Sequence, residues 1–529
     1  MQKRSFSPLW IPLLLSIAAF LAVFAVADFI YLPRLVDGDI YADMLLAREI
    51  WLQKRLFPAN WVYGNQYYTI ATPVAAALFY GLTGSMNRSM ALATALMTVL
   101  ILWSFCWMLR PFVKRSTTVP AALLLFVAAP MAHDLLREPQ GQLFFTLASY
   151  YACYLIVLCQ VFGDYARAVL CPEKGRRPAA LILALLLSFL TGMQSLRQTL
   201  IMALPILAVE ALRALAALAH WGGLALGRPR RGTLLRALGY AASNMAGYGL
   251  MRFLDIPSRT IYDKVQVGGS SLGARLLADW HAVRGITGLD VALFQTPMAF
   301  YLPLFLLSIA LAVAGAICLM RRRQELQGLW LLAFLCAVSL AGVLAAGLVV
   351  ELRMREIYLF AWYLLLALAL AGLWESVKEK WLPAAVCALC LVSLGNLYFS
   401  YGSSLRLARE RDPAPAIAFC RDAEAAGYEL VYGDWQSAPS LIVWSDGKIT
   451  AGFWNEVLFQ VRGSINKLDI YAPEDNDRAL YVFGPWGRES FDRWSRDAGA
   501  SYEVFGEYGP WIAYKTDKQL MHLEGEPIG

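Results

Sequence analysis

The sequence predicts a polytopic α-helical membrane protein of about eleven transmembrane helices, followed by a small C-terminal extracytoplasmic α/β domain. Three observations support this class. The 529 residues are 59% hydrophobic and only 16% charged, whereas soluble domains average nearer one quarter charged. Apolar runs of roughly 17–25 residues, long enough to cross the hydrocarbon, recur up to about residue 400. From about residue 401 the composition becomes that of a soluble domain.

The predicted spans are apolar windows of helical length, which argue for a helical bundle and not a barrel. They lie near 9–30, 88–109, 118–136, 142–162, 179–195, 199–219, 237–253, 297–320, 328–350, 357–374 and 382–400. The apolar run Ile70–Thr83 is too short and is not counted. Basic clusters such as Arg321–Arg323 then share the side of the N-terminus, which the positive-inside rule makes cytoplasmic. We therefore expect a multi-pass plasma-membrane protein with its C-terminal domain outside.

The long first outer loop, residues 31–87, is predicted to contain an amphipathic helix lying on the bilayer surface. Apolar side chains fall on one helical face and polar ones on another: Ile40, Met44, Ala47 and Trp51 against Asp39, Asp43, Glu49 and Gln53. We therefore divide the chain into a membrane domain, 1–400, that includes this loop, and an external domain, 401–529.

Helical and strand patterns alternate in the external domain, which predicts a small α/β sandwich. The predicted helices are Pro413–Ala426, Ala438–Trp444 and Glu489–Ala498, and the strands are Glu429–Tyr432, Ala479–Phe483, Ser501–Phe505 and Trp511–Lys515. No dinucleotide-binding, P-loop or zinc-ligand spacing occurs in the chain. We attribute the net charge of +7 to cytoplasmic loops, and we expect no nucleic-acid partner.

Two acids, Asp37 and Asp39, follow directly after the first span, where a carboxylate is costly unless it is used. Asp39 could simply cap the helix that follows it. Asp37 is followed by Gly38, so we do not expect it to be a cap. Asp37 is therefore the first candidate for a catalytic base, and Asp39 is the second.

Three arginines are predicted at outer ends of spans, against the positive-inside tendency. Arg197 lies between the fifth and sixth spans, and Arg353 and Arg355 lie between the ninth and tenth. A guanidinium binds phosphate with two parallel hydrogen bonds, which makes these residues candidates for a lipid phosphate site. Alternatively, Arg353 could pair with a neighbouring glutamate, and Arg355 could extend to lipid headgroups.

The first outer loop resembles that of the C-class (GT-C) integral-membrane glycosyltransferases, particularly the protein O-mannosyltransferases and the aminoarabinose transferases. In that pattern an acid follows the first span, with Tyr-Ala four residues later, then a Trp-containing segment and an aromatic stretch before the second span. The matching positions are Asp37, Tyr41-Ala42, Trp61, Tyr67-Tyr68, Pro73 and Arg88. The pattern departs at Gly38, where those branches usually carry a second acid.

The resemblance implies a glycosyltransferase that moves a sugar from a polyprenyl-phosphate carrier to a glycan, lipid or protein acceptor outside the membrane, with inversion. It implies that Asp37 is the general base. Tyr41 is then expected near substrate, as is Asp134 in the loop after the third span. Arg137 could bind substrate beside Asp134 or merely pair with it.

No cofactor is assigned from the sequence. In the oligosaccharyltransferase branch of the superfamily a divalent metal is used, and Asp37 and Asp39 with His133, Asp134 and Glu138 could supply its ligands. The other branches do not use such an ion for the chemistry. A divalent metal therefore remains an open alternative at this point.

Two other functions are compatible with many membrane spans. A transporter or flippase for lipid-linked glycans would be expected to show internal repeats and charges near mid-membrane, and neither pattern is clear in the sequence. A non-catalytic scaffold would use the 401–529 domain to recruit partners.

Overall fold

The computed structural model describes residues 7–64, 66–130, 144–147, 149–171, 178–220, 226–227, 229–258, 271–289, 298–349, 354–434, 438–455, 460–461, 466–467, 479–484 and 487–523. The chain forms two compact units. The first comprises residues 1–24, 96–254 and 262–404, and the second comprises 25–95, 255–261 and 405–529. The first outer loop and the C-terminal region therefore belong to the same unit. These units divide the chain differently from the predicted domains, whose boundaries stay a prediction.

Helices make up most of the described residues. In chain order they are α1 Trp10–Val26, α2 Leu32–Leu35, α3 Gly38–Gln53, α4 Thr72–Thr83, α5 Met86–Leu109, α6 Thr118–Ala128, α7 Ala152–Leu170, α8 Pro178–Gln194, α9 Leu204–Leu218, α10 Arg231–Phe253, α11 Leu272–Thr287, α12 Met298–Arg321, α13 Gln327–Val349, α14 Ala361–Ser376, α15 Leu382–Glu410, α16 Ala414–Ala425, α17 Ala438–Ile442 and α18 Arg488–Asp497. Each predicted span coincides with one of these helices over at least part of its length.

Seven helical segments among the described residues are long and apolar enough to cross a membrane. They are Trp10–Leu35, Met86–Phe112, Ala152–Leu170, Thr199–Leu218, Gln327–Val349, Glu356–Ser376 and Glu379–Tyr398. Four shorter apolar helices accompany them, and one is the uncounted Thr72–Thr83. The chain is therefore a multi-pass membrane protein, and the side that each terminus faces stays a prediction.

Helices α8 and α10 cross at very short distance because glycines lie at the crossing. A Cβ atom on Gly192 would lie 1.9 Å from the carbonyl oxygen of Asn244, and one on Gly247 would lie 2.0 Å from that of Phe189. Small residues allow apolar helices to approach until their backbones are in contact, which is a main source of packing between membrane helices.

A buried polar network joins α7, α9 and α10 at one end of the first unit. Arg213 forms an ion pair with Glu210 and also donates to the Thr233 hydroxyl at 3.2 Å. The Tyr165 hydroxyl donates to Glu210 at 2.7 Å. Every charge in this network has a partner, so we assign the network a structural role. The positions of Glu210 and Arg213 on one helical face suggest the same role.

A carboxylate from α14 binds the turn that leads into α6. Glu375 Oε1 accepts from the backbone amides of Lys114 and Arg115, at 3.2 and 3.0 Å, and from the Thr118 hydroxyl at 2.5 Å. The amides of Lys114 and Arg115 lie in the turn before α6, and the Thr118 hydroxyl belongs to the first residue of the helix. Glu375 thereby fixes the start of α6 against the end of α14.

Nine strands are described, all in the second unit: β1 Trp61–Val62, β2 Leu430–Asp434, β3 Thr450–Asn455, β4 Gln460–Val461, β5 Asn466–Lys467, β6 Ala479–Phe483, β7 Tyr502–Tyr508, β8 Trp511–Thr516 and β9 His522–Leu523. Seven of them form one mixed sheet in the order β7-β8-β6-β2-β3-β4-β9. Strands β6, β2 and β3 run parallel in its centre. The predicted α/β fold of the C-terminal region is confirmed, with each predicted strand and helix within a few residues of its position.

The first outer loop is joined to the C-terminal region within the second unit. Strand β1 pairs antiparallel with β5. Asp446, in the left-handed conformation at φ 52°, accepts from the amides of Met86 and Asn87 at 2.8 and 3.3 Å and so caps α5. These contacts link segments about 360 residues or more apart in sequence.

Helix α3 is present as predicted, but its polar face does not lie on a bilayer surface. Asp43 is 2% exposed and Glu49 is 5% exposed, and both were expected on the solvated face. The helix is buried on nearly every side because α4 packs along it and the Tyr41 hydroxyl donates to the Ile449 carbonyl at 3.1 Å. It is therefore a core element of the second unit.

The close crossing of α8 and α10 can be tested with two alanine substitutions in the same helix. We expect Gly247→Ala to lower the thermal stability of the purified protein, by about 1–3 kcal/mol, because the new Cβ overlaps a carbonyl group. Gly249→Ala is the control, because no heavy atom lies within 4 Å of its Cβ position. Thermal unfolding followed by circular dichroism should give a lower midpoint for Gly247→Ala than for Gly249→Ala. Equal midpoints for the two variants would contradict the close approach of α8 and α10.

Candidate active site

The candidate acids lie at the start of α3, directly after the first apolar helix. The Asp37 side chain accepts from the Ile40 amide at 2.8 Å, so Asp37 is the N-cap of α3. This corrects the expectation that Asp37 would not be a cap, and the alternative that Asp39 caps the helix is not what the structure shows. Asp39 lies in the first helical turn and its side chain is exposed.

The environment of Asp37 differs from that of an ordinary cap. Its burial, together with the negative charge of Asp39, raises the pKa of the Asp37 carboxyl to about 6. The hydrogen bond from Ile40 opposes this rise but does not cancel it. A carboxylate with a pKa near the operating pH is suited to proton abstraction.

A third acid, Asp43, lies one helical turn after Asp39 and is almost completely buried. The Tyr68 hydroxyl hydrogen-bonds its carboxyl group, while its Oδ2 atom has no hydrogen-bond partner among the described residues. Burial raises the pKa of Asp43 well above its usual range, and the charges of Asp39 and Asp37 add to the effect. The sequence offered one signal for Asp43, its i, i+4 spacing from Asp39. That signal was missed because the sequence analysis placed Asp43 on the solvated face of the helix.

The aromatic residues of the first outer loop pack together next to the acids of α3 in the second unit. Tyr63 and Tyr67 have their ring centroids 5.3 Å apart, and Tyr63 and Tyr68 6.2 Å apart. The Tyr67 hydroxyl donates to the Ile256 carbonyl at 3.2 Å. Trp61 is buried in strand β1. These positions of the resemblance therefore form part of the core that holds Asp43 and Tyr68.

Tyr41 is fully buried and its hydroxyl is hydrogen-bonded to the Ile449 carbonyl. Its side chain therefore has no surface for a ligand in this structure. The predicted contact of Tyr41 with substrate stays a prediction, while the structure gives this residue a packing role.

The first unit contains the arginine candidates. Arg197 lies in the turn after α8 and is half-buried close to two tyrosine rings. Its guanidinium carbon is 5.7 Å from the ring centroid of Tyr151 and 5.2 Å from that of Tyr358. Its Nη1 also lies 3.3 Å from the Tyr151 hydroxyl, to which it donates. Cation–π contacts and this hydrogen bond hold the guanidinium in one orientation.

Arg355 belongs to the same local arrangement through Tyr358. Its carbonyl accepts from the Tyr358 amide at 3.0 Å, at the start of the 3-10 turn Glu356–Leu359. Helix α11 packs directly on this turn, where a Cβ on Gly285 would lie 2.1 Å from a carboxyl oxygen of Glu356. The structure therefore brings two of the predicted phosphate ligands, Arg197 and Arg355, to one aromatic turn. Sequence reasoning missed Tyr151 and Tyr358.

Several predicted site residues lie outside the described residues: Asp134, Arg137, Arg353, His133 and Glu138. Their roles stay predictions. Within the residues that the structure describes, no group of three or more His, Cys, Asp or Glu side chains is arranged to hold a metal ion. Metal dependence stays untested, because most of the expected ligands are outside those residues.

Among solved structures, ArnT from Cupriavidus metallidurans is similar to this chain over almost its whole length. Its apo crystal structure matches with a TM-score of 0.57 at 13% identity, over 96% of this chain and 97% of that one. The chain has the ArnT fold. ArnT is a GT-C protein, so the resemblance predicted from the first outer loop is confirmed at the level of the fold.

Two further structures are more distant. ArnT from the same organism bound to undecaprenyl phosphate matches with a TM-score of 0.43 at 13% identity, over 97% and 99% of the two chains. An Archaeoglobus fulgidus oligosaccharyltransferase in complex with Zn and sulfate matches with a TM-score of 0.44 at 15% identity, over 83% and 62%. No protein-family model and no curated protein matches the chain.

The buried state of Asp43 gives a testable dependence of stability on pH. Because its folded pKa is raised, the folded state binds the proton more tightly, and stability is lost as pH rises above the unfolded value of about 3.9. An asparagine at this position would not ionise, so we expect Asp43→Asn to remove this loss of stability. The difference in free energy of unfolding between the variant and the native protein should therefore grow in favour of the variant between pH 5 and pH 8. Asp497→Asn, an exposed carboxyl in α18, is the control. Thermal unfolding at several pH values measures this, and a constant difference would refute it.

Proposed function

We propose that this protein is a membrane glycosyltransferase that transfers a sugar from a polyprenyl-phosphate carrier to an acceptor on the outer side of the membrane. The observation that carries the proposal is the ArnT fold combined with an acid of raised pKa directly after the first apolar helix. The class of carrier follows from the resemblance of the first outer loop. Undecaprenyl phosphate, which is bound in one ArnT structure, is accordingly the first carrier to test.

The proposed reaction is an inverting displacement at the anomeric carbon. The acceptor hydroxyl attacks that carbon and loses its proton to Asp37, while the bond between the anomeric carbon and the phosphate oxygen breaks. The phosphate leaves with its own negative charge and needs no separate strong acid. Asp37 is suited to this role because its pKa of about 6 leaves it ionised at neutral pH while retaining appreciable basicity.

Arg197 is the proposed ligand of the carrier phosphate, with Arg355 near the same turn. A guanidinium stabilises the charge that develops on a departing phosphate, and most effectively when its position is fixed in advance. The contacts of the Arg197 guanidinium with the rings of Tyr151 and Tyr358 provide this orientation. A guanidinium binds phosphate oxygens through the N–H groups of its planar edge.

Substitution of the two acids distinguishes the base from its neighbour. Asparagine is as good an N-cap as aspartate, so Asp37→Asn preserves the start of α3 while removing the base. We expect a loss of about 10²–10⁴ in transfer rate for Asp37→Asn. For Asp39→Asn we expect a much smaller effect. Transfer from a radiolabelled lipid-linked sugar in proteoliposomes measures both.

The pH dependence provides a second readout in the same assay. Below a pKa of about 6 the native rate should fall about tenfold per pH unit, because Asp37 becomes protonated. The residual rate of Asp37→Asn should not show this fall. If Asp39→Asn instead abolishes transfer and the low-pH limb, Asp39 is the base. Movement of the carrier between leaflets without any transfer in the native protein would favour a flippase.

The phosphate role of Arg197 predicts weaker use of the donor. We expect Arg197→Gln to raise the KM for the lipid-linked donor and to lower kcat, with Arg197→Lys intermediate, because lysine cannot bind phosphate bidentately. Arg252→Gln is a matched control, since Arg252 also stacks on a tyrosine, Tyr248 at 5.2 Å, but is exposed. Equal kinetics for both glutamine variants would remove Arg197 from the mechanism.

A further inference from the structure

Helix α11 carries a buried acid that the proposed reaction does not use. Asp279 is 7% exposed, and its Oδ1 atom has no hydrogen-bond partner among the described residues. Arg275, one helical turn earlier, donates instead to the Leu348 carbonyl at 2.7 Å. Burial raises the pKa of the Asp279 carboxyl. A buried carboxyl group that lacks a partner costs free energy, so its presence calls for an explanation other than the packing of the helix.

Asp279 lies beside the segment that leads into the turn of the phosphate candidates. A Cβ on Gly347 would lie 2.4 Å from Asp279 Oδ1 and 2.5 Å from Met354 Cε, so the carboxyl group and the Met354 methyl group meet at the same glycine near the end of α13. Neither of these neighbours has a side-chain hydrogen-bond donor. Met354 directly precedes Arg355, one of the two predicted phosphate ligands that the structure describes.

The same helix packs on the turn that contacts the other predicted phosphate ligand. Beyond Asp279, α11 lies against the turn Glu356–Leu359. Tyr358 in this turn has its ring centroid 5.2 Å from the guanidinium carbon of Arg197. The buried acid and both arginine candidates are therefore connected through one helix and one turn within the first unit.

The chemistry of a carboxyl group determines which part of a lipid-linked sugar donor it can bind. Carboxylate and phosphate groups repel each other, so Asp279 is not suited to the carrier phosphate. The isoprenoid chain has no hydrogen-bond donor. The sugar carries hydroxyl groups, and a carboxylate accepts from hydroxyls in short, charge-assisted hydrogen bonds. Among the parts of such a donor, the sugar hydroxyls therefore match Asp279.

We propose that Asp279 binds hydroxyl groups of the donor sugar, an inference that rests on the proposed function, in which the phosphate of the same donor lies at Arg197 and Arg355. A sugar hydroxyl supplies the hydrogen bond that Asp279 Oδ1 does not make within the protein. A site built to hydrogen-bond a substrate hydroxyl discriminates strongly against molecules that lack it, because its own buried group is then left unpaired. Asp279 is thus a specificity-determining residue for the sugar.

Binding of three lipids to the purified full-length protein tests this assignment. The probes are tritiated undecaprenyl phosphate, which has no sugar, and its glucosyl and mannosyl derivatives, measured by scintillation proximity in detergent micelles. We expect Asp279→Asn to raise the Kd of each hexosyl lipid that binds the native protein by about 10- to 100-fold, as for loss of a hydrogen bond to a charged group. For undecaprenyl phosphate the same variant should leave the Kd unchanged or lower it, because a negative charge is removed.

The different responses of the two kinds of lipid separate a sugar contact from structural damage, which would weaken both. Arg197→Gln should raise the Kd of all three lipids. Glu379→Gln, at an exposed acid of the first unit, is the control and should change none of them. Asp279→Ala repeats the comparison with a side chain too small to overlap Gly347. The unfolding midpoint of Asp279→Asn should equal or exceed that of the native protein, because no partner of the carboxyl group is lost.

Three results would overturn the inference and leave the proposed function intact. They are a similar loss of affinity for undecaprenyl phosphate and the hexosyl lipids in both Asp279 variants, no loss for any lipid, and binding of undecaprenyl phosphate but of neither hexosyl lipid to the native protein. A clearly lower unfolding midpoint for Asp279→Asn would also overturn it, because the carboxyl group would then have a structural role. Failure of all three lipids to bind the native protein would instead contradict the carrier assigned in the proposed function.

Discussion

The hydrogen bond between the Ile40 amide and Asp37 fixes where α3 begins, and the candidate acidic site depends on it. The first amides of a helix need acceptors, and in an apolar protein an unmet amide costs more than in water. By meeting this need, Asp37 fixes the residue at which the helix begins. Asp39, in the first turn, is exposed, and Asp43, one turn further along nearly the same face, is buried in the interior.

The same constraint recurs elsewhere in the chain. Asp446 caps α5 within the second unit, and within the first Glu375 accepts from the amides of the turn that leads into α6. Both carboxylates come from distant positions in the sequence. Helix starts in this protein are thus secured by long-range carboxylates as well as by local ones. Each such contact links the start of an apolar helix to a second element, so it specifies tertiary structure as well as local structure.

Sequence reasoning predicted the helices and the C-terminal sheet well because their signals are local. Apolar runs identified the membrane helices, and β-branched and aromatic runs identified β2, β6, β7 and β8. It was wrong to exclude Asp37 as the cap of α3 because Gly38 follows it, since the structure starts the helix at Gly38 with Asp37 as its N-cap. The burial of Asp43 was also beyond local reasoning. Tyr41, two residues before it, is held by Ile449, 408 positions away.

The three acids of α3 have one chemical group but three environments, and the environments separate their roles. Asp43 is buried and hydrogen-bonded to Tyr68, and its raised pKa favours the neutral form of its carboxyl group. Asp39, exposed to solvent, adds negative charge that helps to raise the pKa of Asp37. Asp37 lies between these extremes, with one oxygen engaged by the Ile40 amide. Acids whose surroundings shift their pKa values by different amounts can take different roles in proton transfer. Among the three, Asp37 has the pKa, about 6, at which a carboxyl group gains or loses its proton near neutral pH.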